Sequence, residues 1–115
     1  MNIEDYRTYC LSLKATTEGF PFDDVTLVFK AGGKMFALTN VDLFQTINLK
    51  CDPTYAEELR EQYPDFIRPG YHMNKKHWNT VSTELEENLL IKLIEHSYNL
   101  VFNSLPKKVR QELEE

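Results

Sequence analysis

Between Phe66 and Thr83 this chain carries Arg68, Lys75 and Lys76, the imidazoles His72 and His77, the indole of Trp78 and the amide of Asn74, and it carries no carboxylate. Cations can meet phosphates or other anions, imidazoles and amides can hydrogen-bond, and an indole offers a flat stacking surface. The remainder of the chain leans the other way. Residues 1–65 hold six Lys and Arg against eleven Asp and Glu, and residues 84–115 hold four against seven. A cationic island therefore sits in a protein of net charge -5 and isoelectric point near 5.2. Nonspecific coating of nucleic acid needs a broadly basic surface, so any contact with a polyanion must be local.

Catalytic and metal chemistries are weakly supplied. His72 and His77 are five residues apart and no cysteine or acid pair completes a metal set. Cys51 precedes a helix start that could lower its pKa, yet no base is placed beside it by spacing, and an inert buried thiol is the expectation. Cys10 falls on an apolar helix face, and the two cysteines lack the spacing of a metal or redox motif. No enzyme activity, cofactor or metal is expected.

The elements that must position the island can be laid out from pattern. Asn2 caps a first helix whose Ile3, Tyr6, Cys10 and Leu13 share one face. Val25–Lys30 and Met35–Leu38 are strands joined through Gly32-Gly33, a pair that permits the positive φ of a two-residue hairpin turn. Thr46–Lys50 is a third strand. Asp52 and Pro53 then start a helix with Tyr55, Leu59 and Tyr63 inward. Ile67–His72 and His77–Ser82 are expected as two further strands joined by the turn Met73–Lys76, which would make the island a hairpin. Thr83 to Glu86 matches a capping box for a long helix with Leu89, Leu90, Leu93, Ile94, Ser97, Leu100 and Val101 inward, and Pro106 opens a short last helix. One domain over residues 1–115 is expected, of α+β class: an antiparallel sheet packed against helices, in the order α-β(3)-α-β(2)-α with a short C-terminal helix. No apolar run approaches the ~20 residues of a membrane span and no leader-like start is visible, so a soluble cytoplasmic protein without membrane contact is expected.

With that order in hand, the residues Phe20-Pro-Phe22, Phe29-Lys-Ala-Gly-Gly-Lys-Met-Phe-Ala-Leu38, Asn48-Leu-Lys-Cys-Asp-Pro53, the stretch Arg68 to Val81, His96-Ser-Tyr98 and Leu105-Pro-Lys-Lys108 are similar to the MmcQ/YjbR family over essentially the whole length. The resemblance implies a fold similar to bacterial secretion chaperones and comparable to the double-wing DNA-binding motif. Members of the family are commonly described as DNA-binding proteins, by comparison of folds.

Two expectations for function follow. In the first, Lys50, Arg68, Lys75 and Lys76 contact phosphates while His72, Asn74, His77 and Trp78 add hydrogen bonds and a stacking face, with the hairpin acting as a wing on nucleic acid, duplex DNA foremost. In the second, the domain is a protein-binding module of the secretion-chaperone kind, or a self-associating one, with Phe20, Phe22, Phe44 and Tyr55 as its apolar patch. A binder of a small anionic ligand is a third, lesser expectation. Residue by residue a plainer account also stands: Lys75 and Lys76 solvate a turn, Tyr71 and Trp78 fill the core, and the histidines satisfy carbonyls. Facing decides among these, because a patch exists only if Arg68 and His72 share one face of their strand and Lys50 points to the same side of the sheet.

Overall fold

The structure is a computed structural model that describes residues 1–70 and 73–114. Helix α1 (Ile3–Ser12) starts where Asn2 Oδ1 accepts the Asp5 N–H at 2.8 Å. After Ala15, held at φ 62°, the chain enters β1 (Thr16–Gly19), a strand beyond the expected three. Its Thr-Thr-Glu-Gly sequence has no large apolar side chain to bury, so it lacks the alternation that marks a strand. Arg7 of α1 holds it instead, with Nε and one terminal nitrogen each 2.6 Å from the Glu18 carboxylate. Strands β2 (Thr26–Ala31) and β3 (Lys34–Asn40) form the expected hairpin, with Gly32 at φ 56° and Gly33 at φ 87°. A Cβ on Gly32 would stand 2.5 Å from Leu105 Cδ1, so the turn is closed to larger residues as well.

Strand β4 (Thr46–Lys50) leads to α2 (Pro53–Gln62), whose first turn is capped by Asp52 Oδ2 accepting from the Tyr55 N–H at 3.1 Å. Strands β5 (Ile67–Pro69) and β6 (Trp78–Ser82) follow, then α3 (Glu87–Asn103) and α4 (Lys107–Glu114). The expected cap at Thr83 is corrected. Glu86 caps α3, its carboxylate accepting from the Asn88 and Leu89 N–H groups at 2.9 and 3.0 Å. Residues 83–85 are spent on a turn that buries Leu85, and the Thr83 hydroxyl donates to the Phe44 carbonyl at 2.9 Å.

All strand pairs are antiparallel, in the order β1-β2-β3-β4-β6-β5. All four helices lie on one face of this sheet. Tyr6 and Cys10 of α1, Ala56 and Leu59 of α2, Leu90, Leu93, Ile94 and Val101 of α3, and Val109 and Leu113 of α4 join one cluster with Leu27, Phe29, Phe36, Ile47, Leu49, Ile67 and Val81. On the other face Val28, Leu38 and Trp78 form a small separate cluster beneath Met35 and Met73.

One motif from the sequence finds a structural explanation on the helix side. Register shifts between Phe29 and Lys30 of β2, a bulge that leaves Phe36 without a cross-strand partner there, and the β3–β4 ladder stops at Ala37↔Leu49. Beyond that pair the Ser97 hydroxyl donates to the Phe36 carbonyl at 2.6 Å and accepts the Lys50 N–H at 2.9 Å, replacing the missing rung. Its neighbours also tie elements together. His96 Nε2 accepts the Asp52 N–H at 3.2 Å, and the Tyr98 hydroxyl donates to the Lys14 carbonyl at 2.6 Å.

Candidate nucleic-acid interface

Strand alternation and register determine what the helix-free face presents. Side chains two apart along a strand share a face, and paired residues stand side by side. With Val28, Leu38 and Trp78 known to be on that face, one row across the sheet reads Gly19, Val28, Leu38, Asn48, Thr80 and Arg68. The row on one side of it includes Thr17, Lys30 and Met35, then Lys50 and Trp78; the row on the other side is Thr26, Asn40, Thr46 and Ser82. Lys50 and Arg68 therefore face the same way, which meets the part of the patch condition that falls on described residues. Lys30 joins them, two strands from Lys50 and about 10 Å away at ordinary strand spacing. No strand residue of this face is a carboxylate, whereas the helices on the far side carry Glu4, Asp5, Glu57, Glu58, Glu61, Glu87 and Glu95.

The expected hairpin is built into the sheet. β5 is only three residues long, and β6 lies inside the sheet between β4 and β5. The two strands still form the expected hairpin, paired antiparallel from Ile67↔Val81 to Pro69↔Asn79, as the edge strand and the adjoining interior strand of the main sheet. The reason is pairing distant in sequence: β6 finds all of β4 along Thr46↔Ser82 to Lys50↔Trp78. Gly70 packs where a Cβ would come 2.8 Å from Trp78 Cβ, and its N–H donates to the Trp78 carbonyl at 2.8 Å.

Each residue of the island has a place. Lys75 and Lys76 are exposed on the turn. Asn74 organises it: Oδ1 accepts from the Lys76 N–H at 3.0 Å and the backbone carbonyl from the His77 and Trp78 N–H groups. His77 is half-buried, and its carbonyl accepts the Cys51 N–H at 2.7 Å. Trp78, expected to offer a stacking face, is instead only 8% exposed, because an interior strand places it under Met73 and against Leu38 and Val28. His72, expected as a contact, and Tyr71, expected in the core, lie outside the described residues.

Arg60 was not singled out by sequence, since among Glu57, Glu58 and Glu61 it reads as one charge of a solvated helix. Its Nε donates to Asn79 Oδ1 at 2.7 Å, and a terminal nitrogen donates to the Lys75 carbonyl and, at 3.3 Å, to that of Trp78. The arginine thus reaches from α2 to the backbone of the cationic turn and holds Lys75 in position.

Two loops border the open face. Residues 20–25 bring Phe20 and Phe22, 49% and 64% exposed, to its β1–β2 side. A groove of about 440 Å³ runs between this loop and Met73, with Met35, Leu38, Asn40 and Asn48 on its floor and walls. Asp23 also borders it, but its carboxylate accepts from Thr26 N at 2.6 Å, Val25 N at 2.9 Å and Thr26 Oγ1 at 3.0 Å, which holds its pKa below the usual range. The other aromatics of the expected apolar patch are claimed by the fold. Phe44 packs on Tyr6 at a ring separation of 5.4 Å and Tyr55 stands edge-on to His96 at 5.1 Å.

Reactive groups are subdued. Burial, with the nearby Asp52 adding to it, pushes the Cys51 thiol up to about 11, and burial pushes Cys10 to about 12. His96 accepts the Asp52 N–H, and its pKa is lowered by burial against the opposing pull of Asp52. Among the described residues no group of three or more His, Cys, Asp or Glu is arranged to hold a metal ion, and no helix is long and apolar enough to cross a membrane.

Comparison with known proteins places this geometry among relatives. The family model described as YjbR matches residues 11–100. The chain is 46% identical over 92 residues to the uncharacterized protein YbdF of Escherichia coli O157:H7, covering 77% of this chain and 75% of that one. It is 31% identical over 114 residues to the uncharacterized protein YjbR of Escherichia coli K12, with 96% of each covered. The crystal structure of a Deinococcus radiodurans protein with the domain DUF419 superposes with a TM-score of 0.92 at 43% identity, over 98% of this chain and 88% of that one. A Pseudomonas syringae protein superposes with a TM-score of 0.70 at 28% identity, over 88% and 99%.

Proposed function

The chain belongs to the YjbR family, and from that premise we propose that it is a non-catalytic nucleic-acid-binding domain whose contact surface is the open face of the sheet. The observation that carries this reading is charge segregation by alternation: Lys30, Lys50 and Arg68 share a strand face without a carboxylate, and Lys75 and Lys76 stand on the turn beside it. Phosphate contacts need little more than cations on a surface free of competing acids. A catalytic reading draws no support from a thiol pushed to about 11 or from an imidazole already occupied by a backbone N–H. The aromatics that would favour a protein partner, Phe20 and Phe22, border this same face and so do not define a second surface.

Fluorescence-anisotropy titration of labelled nucleic acid at several salt concentrations tests the proposal. With about four cations engaged, log Kd should change with log salt by a slope of about 3 to 4 in magnitude, and Lys75→Glu with Lys76→Glu should lower that slope by up to about 2. Salt-independent binding, or none at low salt and high micromolar protein, would remove the proposal.

A further inference from the structure

Resting on that reading, we infer that the open face takes single-stranded rather than duplex nucleic acid, with an unpaired base in the groove between Phe22 and Met73 and the backbone over Lys30, Lys50 and Arg68. Duplex recognition in a groove calls for a helix or ribbon that projects from the protein. Here the three strand cations sit within the sheet, Lys50 on interior strand β4 and Lys30 on β2, with bordering loops at residues 20–25 and 73–77. Those loops leave a trough, open to a thin flexible strand.

The trough also has the chemistry of a base site. Phe22, Met35, Leu38 and Met73 give it apolar walls, and the amides of Asn40 and Asn48 supply the few polar groups. Thr80 Oγ1 donates to Asn48 Oδ1 at 2.6 Å, which turns the amide's donor end away from Thr80 and fixes its orientation. Phe22 is the most exposed phenylalanine of the chain at 64%, and an exposed ring beside cations is the usual platform on which unpaired bases stack. The cations flank the groove residues along the same rows, Lys30 and Lys50 in that of Met35 and Arg68 in that of Leu38 and Asn48. Asp23, the one carboxylate among the described residues that line the groove, is occupied by Val25 and Thr26.

The test compares a labelled single strand of about 15 nucleotides with the duplex of the same sequence at one salt concentration, and adds a chain of inorganic polyphosphate as a base-free competitor. The single strand should bind at least about ten-fold tighter than the duplex. Phe22→Ala should weaken the single strand by about five-fold or more and the duplex by less than about two-fold, with an unchanged melting profile showing that the fold is intact. A duplex that binds as tightly or more tightly would overturn the inference and leave nucleic-acid binding standing. Displacement by polyphosphate as effective as by the single strand, phosphate for phosphate, would likewise overturn it by removing any part for the bases. No binding of either nucleic acid at low salt would remove the inference together with the reading it rests on.

Discussion

The two faces of the sheet solve different problems with the same strands. The helix face buries Phe29, Phe36, Ile47, Leu49 and Val81 under four helices, and few polar groups interrupt it. The open face keeps Val28, Leu38, Trp78 and Thr80 out of water and presents Lys, Arg, Asn and Met side chains around them. The lesson is that stability and recognition are separated by a single alternation of side chains, so neighbouring residues such as Leu49 and Lys50 answer to different constraints.

Substitutions on the two faces should therefore differ in kind. The largest effect is expected for Phe36→Ala, which empties a fully buried ring packed edge-on against Tyr98 and should cost about 3–5 kcal/mol of stability in denaturant unfolding. Phe22→Ala on the opposite side should stay within about 0.5 kcal/mol, and equal losses at the two positions would break the comparison.

Next comes Ser97→Ala. It strands the Phe36 carbonyl and the Lys50 N–H in the interior at about 1–3 kcal/mol each, and it should speed hydrogen exchange at the Lys50 amide more than at Ile47. A smaller loss, about 1–2 kcal/mol, is expected for Arg60→Ala, with increased exchange across residues 75–78. This variant bears directly on the division of labour. Arg60 lies on the helix side and sets the cationic turn, so nucleic-acid affinity should fall although this guanidinium is spent on Asn79 and backbone carbonyls.

The smallest effect concerns pH. The His96 pKa is lowered in the folded protein, so the unfolded chain binds the proton more readily. Stability should be fully present above an ordinary histidine pKa of about 6.5 and decline as pH falls below it, and His96→Gln should flatten that slope. An NMR titration placing His96 above the ordinary value would contradict the assignment.

Local signals in the sequence were legible where the chain's own neighbours decide the conformation. Gly32-Gly33 and Asp52-Pro53 are of this kind, since a turn and a helix start depend on a few adjacent residues. What was not legible depends on partners distant in sequence. β1 exists because β2 and Arg7 hold it, not because Thr16–Gly19 prefers to be a strand. Thr83 has the side chain of a cap and spends it on Phe44, leaving Glu86 to cap α3. In the island the indole is inside and the turn is held by an arginine from α2. Lys30 carried a readable signal, standing between the inward residues Phe29 and Ala31, but only the sheet order brings it level with Lys50.

The rung supplied by Ser97 has a mechanical meaning. β3 and β4 pair directly only through Ala37↔Leu49, Leu38↔Asn48 and Thr39↔Ile47, the narrowest seam between interior strands, and Leu38 and Asn48 of that seam form part of the groove floor. The two halves of the sheet, β1-β2-β3 and β4-β6-β5, are joined by these three pairs, by Thr39 Oγ1 donating to the Thr46 carbonyl at 2.8 Å and, beyond the ladder, by the Ser97 hydroxyl on α3. Because the trough above is lined from both halves, a change in the angle between them would widen or narrow it while leaving the ladders within each half intact.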